Sequence, residues 1–477
     1  MNRRGFLSAS LGVAGRLALG QTQDLAGMTL AQASGAIRAK AVTSVDLTQA
    51  CLKRTEKLQP LLNAYISVTG DEALRAAQML DAELQRGKWR GPLHGIPLAL
   101  KDNIDTAGVR TTGASQLFKD RVPDQDAEVA RRLKNAGAIL LGKLNLHEFA
   151  YGGTSAVSYF GPVHNPWDPM LTPGGSSGGP GAAVAAGMCF ASIGTDTAGS
   201  VRIPASYCGI VGLKPTYGRV SIRGIIPLSW SLDHAGPMCK TVEDTAILLN
   251  LMAGYDPLDT TTVDIPVPDY IHALAKPTSK LRLGLPRKPF FDDLNPDVGK
   301  AIENALAVLA KLTAGMTDVT LPPTADGATI FGVEAYTYHE QWVTKTPELY
   351  DPPIRAALLR GADIKADTYA RALRDLAQAR RDIRKVFSKV DLLVLPTMAD
   401  PPFKIEVGLT RNVSARNTLP FDIYGIPTIS IPCGFTSAGL PIGLQIAGAP
   451  WAEPAVLALA HAYEQATEWH KRHPKLG

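Results

Sequence analysis

The stretch TPGGSSGGPGAAVAAG, Thr172 to Gly187, runs a glycine- and serine-rich turn into an alanine-rich segment. The glycines permit tight turns and close backbone approach, while Pro180 and the alanines suit the first turn of a helix. Three known uses of such a loop fail on its neighbours. A Walker-type phosphate cradle needs lysine after its last glycine, and here Gly174 and Gly179 have the spacing but Pro180 follows. A dinucleotide fingerprint needs a preceding strand, and the residues before Gly174, NPWDPMLTP, are rich in proline. Gly174, Ser176 and Gly178 satisfy G-x-S-x-G, but that nucleophile elbow also follows an apolar strand. The histidine it requires is not singled out among His234, His272, His339, His461, His470 and His473.

A second small-residue turn offers a better nucleophile. In GTDTAGSVRIPA, Gly194 to Ala205, Ser200 follows Thr197, Ala198 and Gly199. Their slim side chains let consecutive backbone N–H groups converge on one point, which is what the oxyanion of acyl transfer requires. Serine needs a base. Lys101 ends the apolar run Ile96–Leu100 and can serve as one if burial keeps its amine neutral, since Ser-Lys pairs are a known variant of the serine-histidine scheme. The segment HEFAY, His147 to Tyr151, has tyrosine where the second histidine of H-E-x-x-H would fall, so no metal site is named and no cofactor is expected. His147 reads as a hydrogen-bonded scaffold residue.

At 477 residues, 45% of them apolar and 19% charged, the chain can bury a large core. No uncharged apolar run nears the roughly 20 residues of a membrane-spanning helix, so no stable membrane insertion is expected. Apolar residues recur at helical steps from Thr29 to about Gln85, with Ser44 as an N-cap of one helix. A strand at Ile96–Leu100, a helix at Asp126–Gly137 and a strand at Ala138–Asn145 follow, an order that implies an α/β core with part of its sheet parallel. Gly152 to Pro237 reads mostly as loops around short alanine-rich helices. Asp264 to Lys280 reads as a subdomain boundary, and LRLGLP, VDLLVLP, PTISIP and IGLQIAG beyond it read as strands, with a helical block between about Pro347 and Ser388. The fold class is α/β, a mixed central β-sheet surrounded by helices. The five cysteines are widely spaced and fit no disulfide framework or C-x-x-C site; they read mostly as small buried side chains.

Lys101 in PLALKDNID, Ser176 and Ser177 in PGGSSGG, and Ser200 in its turn together resemble the amidase signature family. The resemblance runs over residues 28–465, taken as one amidase signature domain, and includes NLHEFAYGG, GPVHNPWDP, GLKPTYGRV, GIPTISIPCGF and GLPIGLQIAG. It implies a Ser-Ser-Lys set of Ser200, Ser176 and Lys101, with Ser176 bridging after a cis peptide from Gly175. It also implies an oxyanion hole from the N–H groups of Thr197, Ala198, Gly199 and Ser200, and support from Ser177, Asp196 and Arg202. Pro180 stands where relatives often carry serine. Ala198 stands where many carry glycine, which predicts an ordinary φ there. The implied activity is hydrolysis of a carboxylic amide to acid plus ammonia or amine through an acyl-enzyme, in the manner of a stand-alone amidase. The alternatives are the glutaminase component of a tRNA-dependent amidotransferase and a catalytically inactive binding protein on the same scaffold.

The first twenty residues, MNRRGFLSASLGVAGRLALG, resemble a twin-arginine export signal at Arg3, Arg4, Phe6 and Leu7, with Ala18 and Gly20 placed for cleavage. They imply an exported, periplasmic protein, the alternative being cytoplasmic. Net charge is only +5, three of it on arginines in this segment. That is too little to infer a nucleic-acid partner, so none is expected; the expected partner is a small-molecule amide, with a homodimer left open.

Overall fold

The computed structural model describes residues 24–476, and the export-like segment lies outside them. Eleven strands form one sheet: β1 Tyr65–Val68, β2 Pro97–Lys101, β3 Ile139–Leu144, β4 Ala191–Asp196, β5 Val211–Lys214, β6 His234–Cys239, β7 Arg282–Leu285, β8 Gly315–Asp318, β9 Leu392–Pro396, β10 Thr428–Phe435 and β11 Pro441–Gly448. Their order is β1-β3-β2-β4-β6-β5-β10-β11-β9-β7-β8. β2 runs parallel to both β3 and β4, whereas the middle of the sheet from β4 to β9 is antiparallel, and β7 is parallel to β8 and β9. Helices cover both faces, so inner strands such as LLVLP of β9 are buried along their whole length, as continuous apolar runs require.

The fold class expected from sequence is the one observed, and four local readings change. Helix Ser44–Leu62 is capped by Thr43 rather than Ser44: Thr43 and Asp46 exchange side-chain and backbone hydrogen bonds in a capping box. Ser44 is instead the first helical residue and donates its N–H to Asp81. Short β1 interrupts the run read as helical, because Asn63 turns left-handed at φ 47° and ends the helix, after which Tyr65–Val68 pairs antiparallel with distant β3. The middle read as mostly loop contains β4, β5 and β6, whose many small and polar residues hide them. Asp264–Lys280 separates no domains, since the strands on either side of it belong to the same sheet.

The opening glycine stretch becomes the helix Gly178–Ala185, with Pro180 in its first turn. Packing explains two of its glycines. A Cβ on Gly175 would sit 2.7 Å from the backbone nitrogens of Thr154 and Ser155, and one on Gly179 would overlap the carbonyl oxygen of Asn145. All five cysteines are free and buried.

Candidate active site

Two strand ends and two turns meet here. β2 delivers Lys101, β4 delivers Thr195 and Asp196, the turn before helix Gly178–Ala185 delivers Ser176 and Ser177, and the turn after β4 delivers Thr197 to Ser200. Gly175–Ser176 is cis. The two turns are tied together by the Ser177 N–H, which donates to the Ser200 carbonyl at 3.3 Å, and Ser177 Oγ donates to the Thr195 carbonyl at 3.2 Å.

Lys101 is fully buried, with Nζ 2.7 Å from Ser176 Oγ and 2.7 Å from Thr195 Oγ1. Burial pushes its amine down to about 7, against the pull of Asp196 and Asp233. Two other fully buried lysines are lowered by burial as well, Lys143 to about 8 and Lys214 to about 7. Geometry separates the three. Lys143 donates to the Ile104 carbonyl and Thr111 Oγ1, and Lys214 to the Ile426 and Pro215 carbonyls beside His234. Lys101 alone among them touches a serine hydroxyl. Ser176 is wholly buried, whereas Ser200 keeps 8% exposure, so Ser200 is the serine a molecule from outside meets first.

The turn around Ser200 departs from the expected oxyanion hole at one residue. Gly199 N–H donates to Asp196 Oδ1 at 2.5 Å, so it is committed to building the turn rather than open to a substrate oxygen. The N–H groups of Thr197, Ala198 and Ser200 have no such partner among the described residues. Gly199 takes the positive φ of 122° and Ala198 does not.

Asp196 and Arg202 lie beneath this turn, both fully buried. Arg202 grips Asp196 with Nε at 3.0 Å and Nη2 at 3.1 Å, reaches Asp422 with Nη2 at 2.6 Å, and donates through Nη1 to the Thr418 carbonyl and Gln445 Oε1, each at 3.0 Å. Burial alone would raise the Asp196 acid, but the Arg202 guanidinium outweighs it and holds the carboxyl well below the ordinary range. Removing one partner of a buried ion pair costs about 3–5 kcal/mol because the other charge is left uncompensated. Arg202→Met is therefore expected to lose about that much stability, read by denaturant unfolding; an unchanged midpoint would contradict the role given to this pair.

Sequence reasoning missed three neighbours. Thr195 holds Lys101 Nζ and also accepts from Asn103 Nδ2 at 3.2 Å. Asp233, pushed up to about 6 by burial, accepts from Thr197 Oγ1 at 2.5 Å. Thr418 Oγ1 donates to the Ala198 carbonyl at 2.6 Å. His147, which the sequence marks as a hydrogen-bonded scaffold residue, has its ring 3.3 Å from Thr154 Oγ1 and is lowered to about 3 by burial and by Lys101, which suits a neutral group.

A family model described as amidase matches residues 46–457. The chain belongs to the amidase family. Amide hydrolysis is therefore its activity, and known structures of the family share its architecture. A peptide amidase from Stenotrophomonas maltophilia superposes with a TM-score of 0.83 at 33% identity, covering 96% of this chain and 99% of that one. Among curated proteins, the A-type component of glutamyl-tRNA(Gln) amidotransferase from Moorella thermoacetica is 40% identical over 94% of this chain and 99% of its own length. The same amidotransferase component from Chloroflexus aurantiacus is 42% identical over 95% and 99%.

These relatives correct three expectations. Likeness to the amidotransferase component along almost the whole chain overturns the reading as a stand-alone amidase. The relatives' name contains a tRNA, so the expectation of no nucleic acid falls too. The same whole-length likeness overturns the expectation of an exported protein drawn from the first twenty residues.

Proposed function

We propose that this amidase-family chain is the ammonia-releasing component of a tRNA-dependent amidotransferase, hydrolysing the carboxamide of glutamine through an acyl-enzyme on Ser200. The reading is carried by the 40–42% identity to the glutamyl-tRNA(Gln) amidotransferase components over nearly the whole chain. The contact between Lys101 and Ser176 supports the chemistry.

In this mechanism the neutral Lys101 amine takes the Ser176 proton as Ser176 takes that of Ser200, and Ser200 Oγ attacks the amide carbon. The oxyanion forms against the N–H groups of Thr197, Ala198 and Ser200. Ser176 then protonates the leaving nitrogen, because an amide anion is too basic to depart unaided. Ammonia leaves, and water reverses the path to free glutamate. Ser177, Asp196 and Arg202 hold the two turns in register.

The test is ammonia release from glutamine by the purified chain, alone and with the partner proteins of the complex and glutamyl-tRNA. Ammonia release is expected to rise when the partners and tRNA are added. Rapid hydrolysis of simple amides with no response to either would overturn the reading.

A further inference from the structure

The peptide between Ala198 and Gly199 is held at both ends. Its carbonyl accepts from Thr418 Oγ1 at 2.6 Å, and its N–H donates to Asp196 Oδ1 at 2.5 Å. In a trans peptide these groups point in opposite directions, so two anchors fix the plane of the unit. The N–H groups of Ala198 and Ser200 belong to the peptides on either side, and their directions follow from that plane.

Thr418 is itself immobilised. It is fully buried at the start of helix Leu419–Ile423, its carbonyl accepts from Arg202 Nη1 at 3.0 Å, and its N–H donates to the Ala415 carbonyl. The Ala415 carbonyl also lies 3.4 Å from Oγ1, but a hydroxyl has one proton, and the contact to Ala198 is much the shorter. The turn approaches so closely that a Cβ on Gly199 would overlap Thr418 Oγ1. Arg202 thus braces the oxyanion turn twice, through Asp196 beneath it and through Thr418 beside it.

We infer that Thr418 is a positioning residue for amide hydrolysis: its hydroxyl sets the 198–199 peptide so that the neighbouring N–H groups meet the oxyanion. This rests on the proposal that Ser200 is the nucleophile. Thr418→Val keeps the shape and removes the donor, leaving the Ala198 carbonyl without its partner, while Thr418→Ser keeps the donor. Losing one oxyanion contact lowers rates by about 10²- to 10³-fold.

The experiment follows labelling by a fluorophosphonate, which needs the same oxyanion contacts and no knowledge of the natural amide. The maximal labelling rate of Thr418→Val is expected to fall about 100-fold with the half-saturating concentration unchanged, while Thr418→Ser labels like the wild type. Circular dichroism spectra matching the wild type keep a folding defect apart from this effect. A wild-type labelling rate in Thr418→Val, or equal losses in both variants, overturns the inference. The Ser200→Ala control separates the two claims: if it abolishes labelling while Thr418→Val leaves the rate untouched, the nucleophile stands and the positioning role falls.

Discussion

Ser200→Ala is expected to lower amide turnover by about 10⁴- to 10⁶-fold, the range found when the nucleophile of a serine hydrolase is removed. The residual rate would come from oriented binding and from N–H groups that survive the substitution. Ser176 cannot take over, because it is wholly buried, while Ser200 keeps some exposure. Ammonia release measures the loss, and intact mass after fluorophosphonate treatment shows whether the adduct has gone. Undiminished labelling of the variant would remove Ser200 from the mechanism.

Lys101→Ala is expected to be nearly as damaging, about 10⁴-fold, because residues acting as one proton-transfer unit fail together. Lys101→Arg should do no better, since guanidinium does not lose its proton in the working range. The pH profile carries the sharper test. Burial lowers the Lys101 amine to about 7, so the neutral, proton-accepting form grows as pH rises through that value. Activity should therefore fall about tenfold per unit below pH 7 and level off above it. An ordinary solvated lysine would put the same limb near 10. A limb at that alkaline position, or near-normal activity in Lys101→Ala at neutral pH, would exclude lysine as the base.

The polar site was legible where residue chemistry broke a local pattern. An apolar strand ending in Lys101 stands out, as does a serine behind three slim residues. Thr195 did not, because a threonine in a strand looks like ordinary β-branched filling. Thr418 did not either, since it reaches the Ala198 carbonyl from 220 residues away along the chain. The commitment of Gly199 N–H to Asp196 depends on a peptide orientation that composition does not encode. In the fold, β9 and β10 were visible as apolar runs buried on both faces. β4 was not, because ASIGTD mixes small and polar residues and ends at the polar groups of the site. The N-terminal export reading rested on a few residues, and the whole-length relatives outweigh it.

The grip of Arg202 on Asp422 and Gln445 spans 220 and 243 residues of chain. Lys101, Ser176 and Ser200 come early in the chain together with Asp196 and Arg202, yet Thr418, Asp422 and Gln445, which complete the bracing of the turn, come more than 200 residues later than Ser200. A polypeptide still emerging from the ribosome carries Lys101, Ser176 and Ser200 before it carries Thr418, Asp422 and Gln445. The bracing of the turn is therefore complete only after the chain through Gln445 has been made.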